Sequence, residues 1–167
     1  MSGSLSAAFY ADRAVQRTVT IQENVALAHD TYRVRLHCPE IARSILPGQF
    51  VMLRLHGPQD PLLARPLALY DTTRSESGEP EGIDLVYLVK GRFTRRLFQC
   101  TAGQLLDIWG PLGNGFAPQA AQHLVMVAGG IGQTPFLALA QEALGLRHYG
   151  DPPRESPVSA RVTLCYG

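Results

Sequence analysis

The chain has 167 residues, 46% of them apolar, and its 15 basic side chains nearly balance 14 acidic ones. That is enough for one full core and part of a second, and the balanced charge argues against a nucleic-acid surface. No apolar run reaches membrane-spanning length and the start lacks the apolar stretch of a secretory leader, so a cytoplasmic protein is expected.

Met1 to Ala14 is polar, rich in small residues and expected to fray. Strand patterning starts at Val15, where Val19 and Ile21 alternate with Thr18, Thr20 and Gln22. After a break at His29-Asp30, Tyr32, Val34 and Leu36 alternate with Arg33, Arg35 and His37. Pro47-Gly48 reads as a turn into a strand over Gln49 to Leu55, His56 to Pro61 as a loop, and Arg65 to Asp71 as the next strand. A polar connection from Thr72 to Gly82 precedes Ile83, Leu85, Tyr87 and Val89, which share one strand face. Thr94 to Gln99 reads as a short helix and Leu105 to Trp109 as another strand. Arg92, Arg95 and Arg96 form the densest basic cluster, either a solvated face or a phosphate contact. Six short strands separated by turn residues predict a closed antiparallel barrel.

The run Gly110-Pro111-Leu112-Gly113-Asn114-Gly115 ends that regime. Leu124 to Ala128 is a short apolar run suited to a strand buried on both faces. Gly129, Gly130 and Gly132 allow a sharp turn with bare N–H groups. Thr134 is expected as an N-cap and Pro135 as the first residue of a helix carrying Phe136, Leu137, Leu139, Ala140, Ala143 and Leu144 on one face. Strand, turn and helix start together make an anion site or a ligand-free tight turn. The turn is not G-x-G-x-x-G, because proline stands in place of the third glycine. Gly150 to Pro157 reads as a mobile loop and Arg161 to Tyr166 as a second strand. The expected fold class is a six-stranded antiparallel barrel over residues 15–116, followed by an incomplete parallel β-α-β lobe over 117–167. Two strands and one helix cannot bury every apolar face. Part of the helix is therefore expected to meet solvent, another copy or a partner, in a fragment, a shortened product or a subunit completed by another chain.

Cys38, Cys100 and Cys165 are odd in number and far apart. That spacing supports neither a disulfide framework nor a metal site, and free thiols in a reducing compartment are expected.

Five segments matter together: Pro47-Gly48-Gln49-Phe50, Arg65-Pro66-Leu67-Ala68-Leu69, Tyr87 to Thr94, Gly110 to Phe116, and the Gly129 to Pro135 turn. Their order resembles the ferredoxin reductase superfamily, and within it the electron-transfer subunits of heterodimeric dihydroorotate dehydrogenases. The resemblance covers Val15 to Leu146 and resumes at Val162. It implies FAD on the barrel, with Arg65 at the pyrophosphate and Pro66, Leu67 and Ala68 along the cofactor. Ala68 departs from the family, which has a serine or threonine hydroxyl near the flavin N5. Gly91 and Thr94, with Thr94 as an N-cap, match the family's diphosphate turn, in which Phe93 replaces a glycine. Tyr87 is either a core residue or a shelf for the cofactor, and Gly113 to Gly115 either a family hinge or an ordinary turn. Gly129, Gly130, Gly132, Thr134 and Pro135 would cradle NAD or NADP, which the sequence does not distinguish.

The chemistry so implied is hydride transfer between nicotinamide and flavin, which needs the two in near contact. Electrons then pass through a two-iron, two-sulfur cluster to a catalytic dehydrogenase subunit of pyrimidine biosynthesis. The three cysteines do not reproduce the spacing of that cluster, so none is expected on this chain. Self-association is the other expected partnership. Ala68 and Phe93 keep two alternatives open: a non-catalytic, partner-binding relative that has lost flavin, and a stand-alone flavin reductase.

Overall fold

Six strands turn their alternate apolar side chains inward and close on themselves. They are β1 (Val15–Ala28), β2 (Thr31–His37), β3 (Phe50–Leu55), β4 (Arg65–Arg74), β5 (Pro80–Leu88) and β6 (Leu105–Leu112), in the spatial order β1-β2-β5-β4-β3-β6. All neighbours are antiparallel, and pairing of Val15 with Gly110 through Thr20 with Leu105 closes the ring. The computed structural model describes residues 13–57, 61–117, 120–154, 156 and 158–167. The expected fraying of residues 1–12, and parts of the loops read over 56–61 and 150–157, lie outside those residues.

Val34, Leu36, Leu53, Leu69, Ile83 and Leu85 are fully enclosed, which is why the sequence alternates so regularly. One end of the barrel is sealed by α1 (Pro39–Ser44), whose Ile41 and Ala42 are buried. Sequence periodicity missed this helix because six residues hold too little of a 3.6-residue repeat. β4 and β5 also run beyond the expected limits, leaving only Ser75–Glu79 of the polar connection as a turn, with Gly78 at φ 86°. The helix expected over Thr94 to Gln99 is α2 (Arg92–Leu97), which starts two residues earlier.

The chain then enters β7 (His123–Ala128), a 3₁₀ turn over Gly130–Gln133, α3 (Phe136–Ala143) and β8 (Arg161–Tyr166). β7 and β8 pair in parallel, from His123 with Arg161 to Ala128 with Tyr166. The expectation that β7 is buried on both faces is corrected. Met126 and Ala128 are buried, but Val125 and Val127 are 51% and 73% exposed. Among the described residues nothing packs on that second face, so uncovered apolar surface lies on the sheet more than on the helix. α3 packs against β4 and buries Ala138, Glu142 and Ala143. Among the described residues no helix is long and apolar enough to cross a membrane.

The three thiols sit in different surroundings. Cys38 is buried in the core and burial pushes its thiol up to about 12. Burial also raises half-buried Cys100, whereas Cys165 is exposed on β8. Thiolate is the reactive form, so iodoacetamide at pH 8 is expected to alkylate Cys165 first and to leave Cys38 intact until unfolding. Peptide mass mapping over a time course checks this, and early loss of Cys38 would contradict the packing described.

Candidate functional site

β4 starts at an exposed arginine, and its outer face leads to a cavity. Arg65 opens the strand opposite Leu53 of β3, and Pro66, also exposed, follows. Because β4 and β5 are antiparallel, the end of β5 and the start of α2 lie beside this same end of β4. The structure therefore brings Arg65 and the Gly91 to Thr94 turn to one edge of the barrel.

That turn differs from expectation in one respect. Gly91, not Thr94, is the N-cap, with extended backbone, and Thr94 is the third helical residue. The Thr94 hydroxyl accepts hydrogen bonds from the Lys90 and Gly91 amides, each at 3.0 Å, so both amides are used internally. Phe93 supplies an amide of the helix's first turn, a position without an intrahelical partner. The Phe93 side chain is buried in the core, so it does not obstruct the approach to the turn. A Cβ placed on Gly91 would meet nothing within 4 Å, and the space in front of the turn is open.

Tyr87 is enclosed in the barrel, stacked on Tyr32 at 5.9 Å, and its hydroxyl donates to Asn24 Oδ1 at 3.0 Å. Burial pushes its phenol above the usual range. Of its two readings the structure places it in the core. The glycine segment between the lobes is also tied down. Gln49 donates to the Gly113 carbonyl at 2.7 Å, and Phe116 N–H donates to the Pro47 carbonyl at 2.9 Å. Gly115 sits at φ 69°, where a Cβ would lie 2.9 Å from the Pro47 oxygen. Glycine is required there.

Further along β4, Leu69 pairs with Leu85 but Asp71 pairs with Asp84, so Tyr70 is the extra residue of a β-bulge. Asp71 faces α3 and the chain after it. It accepts from Gln141 Nε2 at 3.0 Å, Arg147 Nη1 at 2.8 Å and the Tyr149 hydroxyl at 2.8 Å. Arg147 Nη2 also donates to the Thr72 carbonyl. Burial, and then the Asp71 charge, pushes the Tyr149 phenol above its usual range. A second tie joins buried Glu142 of α3 to Arg154, whose Nη1 donates to the Phe116 carbonyl at 2.8 Å. Arg154 lies in the segment read as a mobile loop, and it is pinned.

These ties hold the second lobe against the barrel around a cavity of about 650 Å³. Tyr70 and Val86 wall it from the barrel, and Ile131, Gln133, Thr134, Phe136 and Tyr166 from the other lobe. The glycine turn is tighter than expected. Gly130 takes φ 54°, so the chain coils at once into a 3₁₀ turn in which Gly132 N–H donates to the Gly129 carbonyl and Thr134 N–H to that of Ile131. Those two amides are not bare. Thr134 ends that turn and Pro135 caps α3 without a side-chain bond, which corrects the N-cap role given to Thr134 and the helical position given to Pro135. Thr134 still lines the cavity, and a Cβ on Gly130 or Gly132 would meet nothing within 4 Å.

Tyr70, Asp71, Gln133, Glu142, Arg147, Tyr149 and Arg154 were not singled out from sequence. Two signals were present: the carboxylate of Asp71 within a strand, and Glu142 four residues after Ala138 on the helix face that packs inward.

The model of the oxidoreductase FAD-binding domain matches residues 18–116. The electron transfer subunit of dihydroorotate dehydrogenase B (NAD(+)) from Desulforamulus reducens is 37% identical over 123 residues, 72% of this chain and 45% of that protein. The subunit of the same description from Fusobacterium nucleatum is 30% identical over 126 residues, 74% and 47% of the two chains. This chain thus spans about half the length of these relatives. An NADH-dependent reduced ferredoxin-NADP oxidoreductase, described for flavin-based electron bifurcation, superposes with a TM-score of 0.63 at 30% identity, over 74% of this chain and 42% of that one. The ferredoxin reductase of carbazole 1,9a-dioxygenase shares the fold, with a TM-score of 0.68 at 23% identity over 79% and 39%. The barrel, its motif order and these matches agree: the chain belongs to the oxidoreductase FAD-binding domain family, within the ferredoxin reductase-like proteins.

Proposed function

We propose that this chain holds FAD along the outer face of β4 and carries electrons between a nicotinamide cofactor and a catalytic dehydrogenase subunit, as part of a dihydroorotate dehydrogenase-type complex of pyrimidine biosynthesis. The observation that carries the reading is Arg65, exposed towards the end of the barrel at which β5 gives way to α2, on the strand that leads to the interlobe cavity. Arg65 stands at the start of β4 on the side of Leu67 and Leu69, and Tyr70 stands on the outer face about 16 Å further along the strand. A phosphate at one end and a ring system at the other would suit that run.

Arg65 offers a planar two-pronged donor to phosphate oxygens, and the Phe93 amide adds a donor in the first turn of α2. Pro66 and Ala68 leave the outer strand face low, so a planar group can lie along it. Gly130 and Gly132 leave room for a dinucleotide near the cavity mouth. The enclosing lobes keep water from the reacting edge. Bound in this way, FAD would supply hydride exchange with NAD or NADP and release of electrons one at a time. Cys38, Cys100 and Cys165 differ widely in burial and are far apart in sequence; an iron–sulfur cluster is not assigned to them. Among the described residues no group of three or more metal-ligating side chains comes together. Three free thiols suit a cytoplasmic setting.

A second reading, a partner-binding relative without flavin, is favoured by Ala68 and by the capture of the Lys90 and Gly91 amides by Thr94. FAD titration by fluorescence quenching separates the two. Wild type is expected to bind, and Arg65→Ala to bind about 1.5–3 kcal/mol more weakly, the scale of a lost charged hydrogen bond. No quenching by wild type would favour the second reading, and equal affinity in the variant would remove Arg65 from the site.

A further inference from the structure

We infer that Tyr70 is the barrel's polar contact to the planar heteroaromatic ring held between the lobes. The inference rests on the function proposed above. Three observations carry it. First, Tyr70 is the extra residue of the β4 bulge, and bulges next to active sites re-aim a side chain. Leu69 before it points into the barrel core, so Tyr70 emerges on the outer face, where it walls the cavity of about 650 Å³. Second, the bulge is fixed. Asp71, its other residue, is held by Gln141, Arg147 and Tyr149, so the backbone that presents Tyr70 is braced from the opposite lobe.

Third, the phenol is unspent. Among the described residues no hydrogen bond is made by the Tyr70 hydroxyl, nor by the Gln133 side chain across the cavity. The Tyr70 phenol and the Gln133 amide, in a largely apolar cavity with Phe136 and Tyr166 beside them, match a flat ring that carries amide-like edges. Ala68, two residues earlier on the same face, has no hydroxyl to offer, and Tyr70 is the side chain on that stretch of β4 that has one. A flavin and a nicotinamide share this ring chemistry.

Tyr70→Phe keeps the ring and removes the hydroxyl. The purified chain is titrated with FAD and then, loaded with FAD, with NADH, while the visible spectrum of bound flavin and the thermal midpoint are recorded. A three- to tenfold weaker FAD affinity with an altered flavin spectrum and an unchanged midpoint is expected if the ring is the flavin's. The same loss confined to NADH assigns the ring to nicotinamide and equally supports the contact. Unchanged affinities and spectrum overturn the inference while leaving FAD binding intact. A wild type that binds no FAD overturns the proposed function and this inference with it. Tyr149→Phe, which loses a phenol bound to Asp71 instead, is the comparison. An identical spectral change there would trace the effect to loosened lobes and also overturn the assignment.

Discussion

Replacing Asp71 by alanine is expected to lower the free energy of unfolding by about 3 kcal/mol. The carboxylate is the common acceptor for Gln141, Arg147 and Tyr149, and it also accepts from the Thr72 amide. Without it, the Arg147 guanidinium, 19% exposed, keeps the Thr72 carbonyl and the Tyr149 ring but loses its counter-charge. The penalty comes chiefly from that stranded cation and the orphaned phenol, not from the lost contacts themselves. Asp71→Asn keeps the shape and one acceptor oxygen, so it should cost roughly half as much. Urea denaturation followed by tryptophan fluorescence and far-ultraviolet dichroism measures both. A loss under about 1 kcal/mol for the alanine variant would mean that the joint is solvated in solution.

The second large effect is expected at Glu142. Its side chain is 3% exposed and faces Arg154, 18% exposed, through two hydrogen bonds. Glu142→Gln removes the charge, leaves the guanidinium uncompensated, and should cost about 3–4 kcal/mol. Replacing both residues by leucine should cost much less than the sum of the single changes, because no charge is then left buried. The Arg154 contact to Phe116 would still be lost. A double-mutant cycle by denaturation is the measurement, and strict additivity would show that the pair is not coupled.

What could be read from the residues alone follows a physical division. The barrel was legible because each strand has one wet and one dry face, and residues such as Val34, Leu36, Ile83 and Leu85 record that alternation directly. The order of the cofactor motifs was legible because it lies in short contiguous strings. The start of α3 was not. It depends on Gly130 adopting a left-handed conformation that draws Thr134 into a 3₁₀ turn, and a string of residue types does not specify that choice. The exposure of Val125 and Val127 was hidden too, since an apolar strand looks the same whether or not a layer covers its second face. The interlobe joint was least visible. Asp71 meets Arg147 and Tyr149 across a long stretch of chain, so no local pattern announces the contact, and the bulge that aims Tyr70 is a matter of register between strands.

Closure of the barrel through β1 and β6 bears on the order of folding. Val15 must find Gly110, and β6 also supplies the partner for β3, so the ring is open until the chain has been made as far as Leu112. During synthesis, β1 to β5 therefore leave the ribosome with an unpaired edge and an unfinished core. Pairings so distant in sequence form late and slowly, because the loop must close before any contact repays it. The emerging chain passes through a period in which Ile21, Val34 and Leu53 are still accessible to chaperones. The bonds from Gln49 to Gly113 and from Phe116 to Pro47 can form only once that last strand is in place.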